Sequence, residues 1–153
     1  MHNSNLVIDK TKMSEKEINQ TLIGIALDMR ERAYVPYSDF RVGAALMAKD
    51  GQVYTGCNIE NAAFTPTNCA ERTAFFKAIS EGKMNFDRIA IVGGRTGEVD
   101  TITYPCAVCR QVMVEFTDAK SFKVIVAIDK DNYKEYYLEE LLPFSFGPND
   151  LTF

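Results

Sequence analysis

The sequence predicts an α/β fold with three layers, α/β/α, built around a mixed five-stranded sheet. Short apolar segments alternate with helical patterns through the middle of the chain, which indicates crossover connections and parallel neighbouring strands. An Asp50-Gly51 turn joins two earlier strand patterns and predicts an antiparallel hairpin. At 153 residues the chain is long enough to bury one hydrophobic core, so one domain is expected.

The first predicted element is a helix that follows a polar N-terminal segment. Residues 1–13 are expected to form a flexible extension, and residues 14–153 a single domain. Ser14 and Glu17 have the spacing of a capping box, which marks a helix start. Apolar residues then recur at helical spacing: Ile18, Leu22, Ile25 and Met29. The helix must end before Pro36, because the residue that precedes a proline avoids the helical conformation.

Two strands and a second helix come next. The strands are predicted over residues 40–48 and 53–58, on either side of the Asp50-Gly51 turn. Asn68 is predicted to cap a helix that runs from Cys69 to about Ser80, since asparagine side chains accept hydrogen bonds from the first amide groups of a helix. The next glycine, Gly82, would end that helix.

The second half of the chain alternates strands and short helices. A continuously apolar strand is predicted over residues 88–92, as expected for a strand buried on both faces. Pro105 suits the first turn of a third helix. Further strands are predicted over 122–128 and, more weakly, over 134–138, and residues 139–142 are predicted to form one helical turn.

Composition excludes several classes of protein. The net charge is −4, and the lysines and arginines form no basic stripe, which disfavours a nucleic-acid surface. Apolar runs are too short to cross a membrane, and the first residues lack the apolar core of a signal peptide. These features predict a cytoplasmic protein whose four cysteines bind metal or catalyse rather than form disulfides.

Two cysteine motifs carry the chemistry of the chain. Cys69 stands two residues before Glu71, and Cys106 stands three before Cys109; both motifs lie at predicted helix starts. Free amide groups at a helix N-terminus favour negative charge and so lower the pKa of a thiol. Three thiolates from two helix starts would bind a zinc ion with one open coordination position, with Glu71 beside it as a proton carrier.

Other interpretations of the cysteines remain open on this pattern alone. A single Cys-x-x-Cys also fits a redox pair, although that leaves Cys69 and Glu71 without a role. A structural zinc site needs four protein ligands, and the only histidine, His2, lies in the predicted extension. Cys57 is a possible fourth ligand, but a cysteine in an apolar strand is more often a small buried hydrophobe.

Taken together, Cys-Ala-Glu followed by Pro-Cys-x-x-Cys matches the zinc deaminase signature in its three-cysteine form. From about residue 15 to its end, the chain closely resembles the small homotetrameric cytidine deaminases. The matching motifs are Pro36-Tyr37-Ser38, Phe40-Arg41-Val42-Gly43-Ala44-Ala45-Leu46, Gly56-Cys57-Asn58-Ile59-Glu60-Asn61-Ala62, Asn68-Cys69-Ala70-Glu71-Arg72-Thr73-Ala74, Cys109-Arg110-Gln111-Val112 and Leu141-Leu142-Pro143.

The resemblance implies a cytidine deaminase-like fold and the hydrolysis of cytidine and deoxycytidine to uridine and deoxyuridine, with release of ammonia, as in pyrimidine salvage. By similarity, Cys69, Cys106 and Cys109 would hold Zn²⁺. Glu71 would take a proton from the attacking water, deliver it to the ring nitrogen and protonate the departing ammonia.

The resemblance also implies the substrate contacts and the assembly. Asn58 and Glu60 would hydrogen-bond a sugar hydroxyl, Phe40 would line the pocket, and the backbone near Ala70 would contact the base edge. Phe146 would reach a neighbouring subunit and stack on the base there, so that a homotetramer shares its sites between subunits.

Two more residues are predicted to support the metal. Three thiolates and Zn²⁺ carry one net negative charge, which would blunt the acidity of the metal. In the family the arginine that matches Arg72 offsets this charge by hydrogen-bonding sulfur, so the resemblance gives Arg72 that role. Gln111 is a second candidate for such support.

Departures from the family pattern leave substrate tuning open. Phe64 stands where many relatives have tyrosine, Tyr104 where serine is usual, and Ala107-Val108 where Gly-Ala is common. Alternatives to a cytidine deaminase are a deaminase of modified cytosine nucleosides such as blasticidin S, a polynucleotide-editing deaminase, and a zinc-stabilised binding module without activity.

Overall fold

The secondary-structure elements follow the predicted order in residues 6–151, the part of the chain that the structure, a computed structural model, describes. The helices and strands are α1 (Glu15–Arg30), β1 (Phe40–Ala48), β2 (Val53–Cys57), α2 (Ala70–Ser80), β3 (Phe86–Arg95), α3 (Ala107–Phe116), β4 (Lys123–Ala127), β5 (Tyr133–Tyr137) and α4 (Leu138–Leu141). A short 3-10 turn, Pro148–Asp150, follows. None of the described helices is both long enough and apolar enough to span a bilayer.

The five strands form one mixed sheet in the order β2-β1-β3-β4-β5. β3 and β4 are parallel, and the other neighbouring pairs are antiparallel. The predicted parallel neighbours therefore occur at one crossover, β3-α3-β4, whereas the β2-α2-β3 connection passes over β1. β1 takes the inner position because its second half is buried throughout, while the shorter β2 forms the sheet edge.

Helices cover both faces of the sheet, which confirms the predicted three-layer architecture. Side chains alternate between the faces along each strand. The core beneath α1 contains Ala45, Met47, Ala90, Val92 and Ile125. The core beneath α2 and α3 contains Ala44, Leu46, Ile89, Ile91 and Val124. The sheet is thus buried between two apolar layers, and the helices that carry the cysteine motifs share one of them.

Helix α1 begins as predicted, with a capping box. The Ser14 N–H donates to Glu17 Oε2 at 2.8 Å, and the Glu17 N–H donates to Ser14 Oγ at 3.3 Å. The buried stripe starts at the predicted Ile18 and Leu22 but continues through Ile23, Ala26 and Arg30. Positions 18, 22, 26 and 30 lie on one face of the helix, and this face is the one that is buried. Ile25 and Met29 lie beside it and are only partly buried.

The N-terminal segment contacts the hairpin, so the prediction of a flexible extension over residues 1–13 is wrong for its described part. The Val53 N–H donates to Leu6 O and the Ile8 N–H to Gly51 O, both at 2.8 Å. The Ile8 side chain is 5% exposed and joins the core beneath α1. An edge strand leaves backbone groups unpaired, and this segment pairs them. Residues 1–5 lie outside the described part.

The hairpin turn is longer than the predicted two-residue turn. The Gly51 N–H donates to Ala48 O at 2.9 Å, and the Ala48 N–H donates to Gln52 O at 2.8 Å, which closes a three-residue loop. Only Gly51 has a positive φ in this loop, at 90°. This arrangement is the type I turn followed by a glycine bulge that three-residue hairpins favour.

Candidate metal centre

The cysteines occupy the starts of two helices. Cys69 is the N-cap of α2 and Cys106 the N-cap of α3, both with extended backbone, and neither thiol is used for capping. The predicted cap at Asn68 is therefore off by one residue, and Pro105 precedes the N-cap of α3 rather than lying in its first turn. Because their side chains are not needed for capping, both thiols are available as ligands.

Three sulfur atoms meet at this point. The Sγ atoms of Cys69, Cys106 and Cys109 all lie within 4.8 Å of one another, and the first two are 3.9 Å apart. Two sulfurs bound at ~2.3 Å to one tetrahedral zinc lie about 3.8 Å apart, so the spacing fits that metal. Cys109 is buried and Cys106 is exposed, which leaves one side of the cluster open to solvent.

The fourth cysteine does not belong to the cluster. Cys57 ends β2, is buried, and its thiol contacts Arg32 O at 3.5 Å. The three clustered thiols thus make an incomplete shell for a tetrahedral metal within the described residues. An incomplete protein shell is typical of a catalytic zinc site, whereas a structural site has four protein ligands.

Close packing of α2 on the sheet sets the position of Cys69. A Cβ at Gly56 on β2 would lie 2.1 Å from Ala70 O and 2.6 Å from the Ala74 nitrogen. Only glycine allows the first turn of α2 to approach the strand this closely. Ala70 and Ala74 are fully buried at this contact, so the helix start is held firmly against β2.

Charge at the cluster centres on Cys69. Hydrogen bonds from the Cys109 thiol and from Arg72 lower the pKa of Cys69 to about 5. The pKa of Cys109 is raised, because its thiol is the donor in that bond and is buried. Negative charge is therefore stabilised on Cys69 by its neighbours.

Arg72 contacts the sulfur of Cys69. Its Nη2 lies 3.4 Å from Cys69 Sγ and 3.4 Å from Thr67 O. Its Nε is buried without a hydrogen-bond partner among the described residues. The cation is thus directed at the thiolates rather than at solvent.

Glu71 lies beside the thiols in the first turn of α2. The residue is 4% exposed, and burial raises the pKa of its carboxyl group to about 7. A carboxyl group that titrates near neutrality accepts and releases protons at low cost in free energy. Three soft ligands with an acid of this kind make a site for metal-assisted hydrolysis.

Asn58 is directed at the start of β1, and Glu60 at the segment that leads into it. Asn58 Oδ1 accepts from the Val42 N–H, and its Nδ2 donates to Phe40 O, both at 2.8 Å. Glu60 Oε2 accepts from the N–H groups of Tyr37 at 2.9 Å and Ser38 at 3.2 Å. The Ser38 hydroxyl, together with these two backbone N–H groups, lowers the pKa of Glu60.

β2 ends at Cys57, so Asn58 and Glu60 follow the strand rather than alternating along its end, as had been predicted. The Asn58 side chain bonds the backbone on either side of Arg41, and the Glu60 side chain bonds the backbone of Tyr37 and Ser38. What the sequence could not reveal is how much of their hydrogen-bonding capacity the backbone already uses. One carboxylate oxygen of Glu60 has no hydrogen bond to the described residues.

Comparison with known proteins agrees with this geometry. The model of the family "Cytidine and deoxycytidylate deaminase zinc-binding region" matches residues 16–126. The chain belongs to this family. Cytidine deaminase of Sporosarcina psychrophila is 48% identical over 134 residues, or 88% of this chain and 95% of that protein. Cytidine deaminase of Halalkalibacterium halodurans is 48% identical over 133 residues, or 87% and 97%.

Solved structures agree with the assignment. The 1.6 Å crystal structure of cytidine deaminase from Burkholderia pseudomallei has a TM-score of 0.77 to this chain at 40% identity, and the match covers 88% of this chain and 100% of that one. The crystal structure of cytidine deaminase from Mycobacterium tuberculosis has a TM-score of 0.70 at 37% identity, covering 83% and 95%. Zn²⁺ is the cofactor of this deaminase family, and the three-cysteine cluster fits it.

Helix α3 also contacts the C-terminal segment through Gln111. Gln111 contacts neither thiol of that helix: its Nε2 donates to Phe146 O at 2.8 Å. Phe146 itself is 60% exposed. The helix that carries two of the thiols therefore also anchors the aromatic tail, so Gln111 supports the tail rather than the metal.

Two residues that depart from the family pattern lie next to other aromatic side chains. Phe64 is 70% exposed, with a φ of 59°, and its ring centroid lies 6.0 Å from that of Tyr37. Tyr104 contacts Tyr136, with the two hydroxyl oxygens 3.1 Å apart. Tyr104 is thus used in packing against β5, and its hydroxyl is paired there rather than with the cluster.

Sequence reasoning did not single out Ser38 for the site. Its Oγ accepts from the Phe40 N–H at 3.0 Å, which fixes the turn before β1. A serine two residues before the bonded amide is the pattern of a serine turn, and that local signal was available in the sequence.

Proposed function

We propose that this protein hydrolyses cytidine and deoxycytidine to uridine and deoxyuridine, with release of ammonia. The observation that carries the proposal is the juxtaposition of three thiols with the buried carboxyl group of Glu71 at the starts of α2 and α3. The relatives named cytidine deaminase, which match nearly the whole of their own length, support the substrate.

Cys69, Cys106 and Cys109 would hold the zinc. When bound, Zn²⁺ supplies Lewis acidity that makes water nucleophilic near neutral pH. Arg72 donates to Cys69 Sγ and offsets the excess negative charge of three thiolates, which would otherwise weaken that acidity.

Glu71 carries the protons of the reaction. It accepts one from the attacking water and delivers it to the ring nitrogen next to the reacting carbon. It then accepts the second proton of that water, from the hydroxyl group now on the carbon, and passes it to the leaving amine, so that ammonia departs. A single group can do both tasks because burial raises the pKa of its carboxyl group towards neutrality. Such a group accepts and releases a proton with similar ease. Its place in the first turn of α2 rigidly fixes its distance from the thiols.

The substrate lies against the segment that leads into β1. Phe40 lines the pocket, and the side chains of Asn58 and Glu60 reach the sugar. Each retains capacity after its bonds to the backbone: Asn58 has a second N–H, and Glu60 has the oxygen Oε1. The backbone of Ala70, between Cys69 and Glu71, contacts the base edge.

The sites are shared within a homotetramer in the cytoplasm. Phe146 and Phe144 are 60% and 106% exposed, so the tail presents two aromatic rings to solvent in one chain. Exposed aromatic groups of this size are typical of surfaces that a partner covers. Phe146 then stacks on the base in the site of a neighbouring subunit.

The test is ultraviolet monitoring of cytidine and deoxycytidine with zinc-loaded protein, with cytosine, a cytidine monophosphate and blasticidin S as comparison substrates. We expect turnover of the two nucleosides. No turnover of either one by intact, metallated oligomer would refute the proposal, whereas faster turnover of blasticidin S would move it to a deaminase of modified nucleosides.

A further inference from the structure

A small polar cluster fastens the start of β1 to the end of β3. Its members are Asp39, Arg41 and Thr96, here called the Thr96 clamp. The Thr96 hydroxyl donates to the Asp39 carboxylate and accepts from Arg41 Nε at 2.9 Å. The Thr96 N–H also donates to Asp39 O at 3.3 Å. One threonine thus holds the residues on both sides of Phe40.

The backbone at Asp39 needs such a hold. Its φ is 55°, in the left-handed region that costs free energy for any residue with a Cβ. Strain of this kind persists where surrounding contacts fix it, and it is concentrated at functional sites. Here the strain turns the chain immediately before Phe40, so it sets the direction in which that residue enters the sheet.

The chain around Thr96, at the end of β3, is itself held by hydrogen bonds from a buried arginine. Arg30 is 5% exposed, and its Nη2 donates to Arg95 O and, at 2.8 Å, to Glu98 O. Arg41 adds a bond from Nη1 to Glu31 O at 3.2 Å. The end of β3 and the end of α1 therefore form a fixed base for Thr96.

Phe40 is consequently held from two directions. Asn58 bonds its carbonyl group and the Val42 N–H from the β2 side, and the Thr96 clamp holds Asp39 and Arg41 from the β3 side. Both sets of hydrogen bonds act on the backbone, so they fix the position of Phe40 without using its aromatic ring.

We propose that the Thr96 clamp positions Phe40 for substrate binding, an inference that rests on the proposed function. Asp39, Arg41 and Thr96 are positioning residues: they act through the backbone around Phe40. Loss of the clamp should weaken binding of the nucleoside but spare the chemical step, since the thiols and Glu71 lie on α2 and α3.

Matched substitutions at two positions test the clamp. Thr96→Val removes the hydroxyl with little change of shape, and Thr96→Ser restores it. Asp39→Gly permits the positive φ but removes the carboxylate, whereas Asp39→Asn retains an acceptor oxygen. We expect Thr96→Val and Asp39→Gly to raise KM for cytidine about fivefold, the worth of roughly one hydrogen bond, with kcat within about twofold.

Controls separate the clamp from general damage. Thr96→Ser and Asp39→Asn should keep KM near the wild-type value. Thr101→Val alters an exposed threonine of the same loop that has no side-chain hydrogen bond among the described residues, and it should also leave KM unchanged. An unchanged KM in Thr96→Val, or an equal loss of kcat, would overturn the proposal.

Hydrogen exchange supplies a readout without catalysis. In the zinc-loaded protein, the peptide that covers residues 37–42 should exchange faster in Thr96→Val and Asp39→Gly but not in the three controls. Unchanged exchange would overturn the clamp even if KM rose. If wild-type protein fails to turn over cytidine, the proposed function falls, and the exchange rates alone still decide whether the clamp holds this segment.

Discussion

At the scale of single residues, the chemistry depends on three side chains at the start of α2, those of its N-cap Cys69, Glu71 and Arg72. Cys69 faces the other thiols, Glu71 is buried beside them, and Arg72 returns to the sulfur of Cys69. The proposed ligand, proton carrier and balancing cation thus come from one helical turn. Their relative positions are fixed by helix geometry, which is the most rigid arrangement that a chain offers.

Glu71→Gln should abolish activity without loss of metal. Glutamine keeps the shape but cannot carry a proton, and a positioned acid–base group contributes about 10²–10⁴-fold. We expect kcat to fall by at least about 10²-fold, with zinc content measured by atomic absorption unchanged. Glu81→Gln, at the exposed end of the same helix, is the control. Loss of zinc in Glu71→Gln would instead identify Glu71 as a ligand.

At the scale of elements, the hairpin of β1 and β2 carries the N-terminal segment. The hydrogen bonds of Leu6 and Ile8 extend the sheet edge, and the carbonyl group of Ile8 lies against Gly51. The turn thus has two constraints, a positive φ and a neighbour in close contact. Either alone favours glycine.

Gly51→Ala should destabilise the fold more than Gly82→Ala. Both glycines have positive φ, at 90° and 83°, so each substitution costs about 1–2 kcal/mol from backbone strain. A Cβ at Gly51 would also lie 2.1 Å from Ile8 O, whereas one at Gly82 meets nothing within 4 Å. Urea unfolding at matched protein concentration measures the difference. Equal losses would mean that the N-terminal segment does not pack on the hairpin in solution.

A buried arginine joins α1 to the sheet. Arg88, at the start of β3, is 3% exposed, and its guanidinium group bonds Asn19, Glu15 and Asp87, each at 2.8 Å. Lys123 on β4 pairs with Glu15 at 3.0 Å and with Glu135 at 3.1 Å. The network satisfies a charge that burial alone would make costly.

This network should make stability depend on pH. Lys123 and Arg88 hold the pKa of Glu15 below its ordinary value of 4.5. A carboxyl group whose pKa is lower in the fold contributes stability that is full above the ordinary pKa and is lost as pH falls through the folded pKa. Glu15→Gln should therefore cost up to about 1 kcal/mol at pH 7, because the side chain is largely exposed.

The same substitution should cost progressively less below a pH of about 4.5, as Glu15 becomes protonated first in the unfolded chain and, at lower pH, in the folded protein. Urea unfolding of both proteins at neutral and acidic pH checks the trend. Glu115→Gln removes an exposed carboxyl group that has no ion pair within residues 6–151, and it should show little difference at either pH. A constant cost of Glu15→Gln across the range would refute the electrostatic explanation.

At the scale of the whole molecule, one chain holds the thiols and Glu71 on one sheet face and sends Phe146 outward. Gln111 ties that tail to α3. The proposed sharing of sites between subunits can be tested by measuring activity. Glu71 and Phe146 of one working site then belong to different chains.

Glu71→Gln and Phe146→Ala should each have little activity alone but complement each other when co-assembled. With random mixing in equal amounts, roughly a quarter of the sites combine an intact Glu71 with an intact Phe146 from the neighbour. We expect that fraction of wild-type activity after co-refolding. A chain carrying both substitutions, co-assembled with Glu71→Gln, is the control and should restore none. No gain in the first mixture would refute shared sites.

Much of the fold could be predicted because its signals are local. The capping box at Ser14, the Asp50-Gly51 turn and the apolar run of β4 each depend on a few neighbouring residues. Predictions were wrong where distant partners decide. The attachment of residues 6–8, for example, depends on the free edge of β2.

By itself, the sequence determined the kinds of elements, the three thiols, Glu71 and the family, since each rests on residue type and short spacing. Only the tertiary structure decided that β1 separates β2 from β3, that Asn58 binds the backbone at the start of β1 and Glu60 the backbone before it, and that Thr96 bonds Asp39 and Arg41 on either side of Phe40. These contacts join segments far apart in the chain. They depend on how the layers pack as a whole, which no local pattern records.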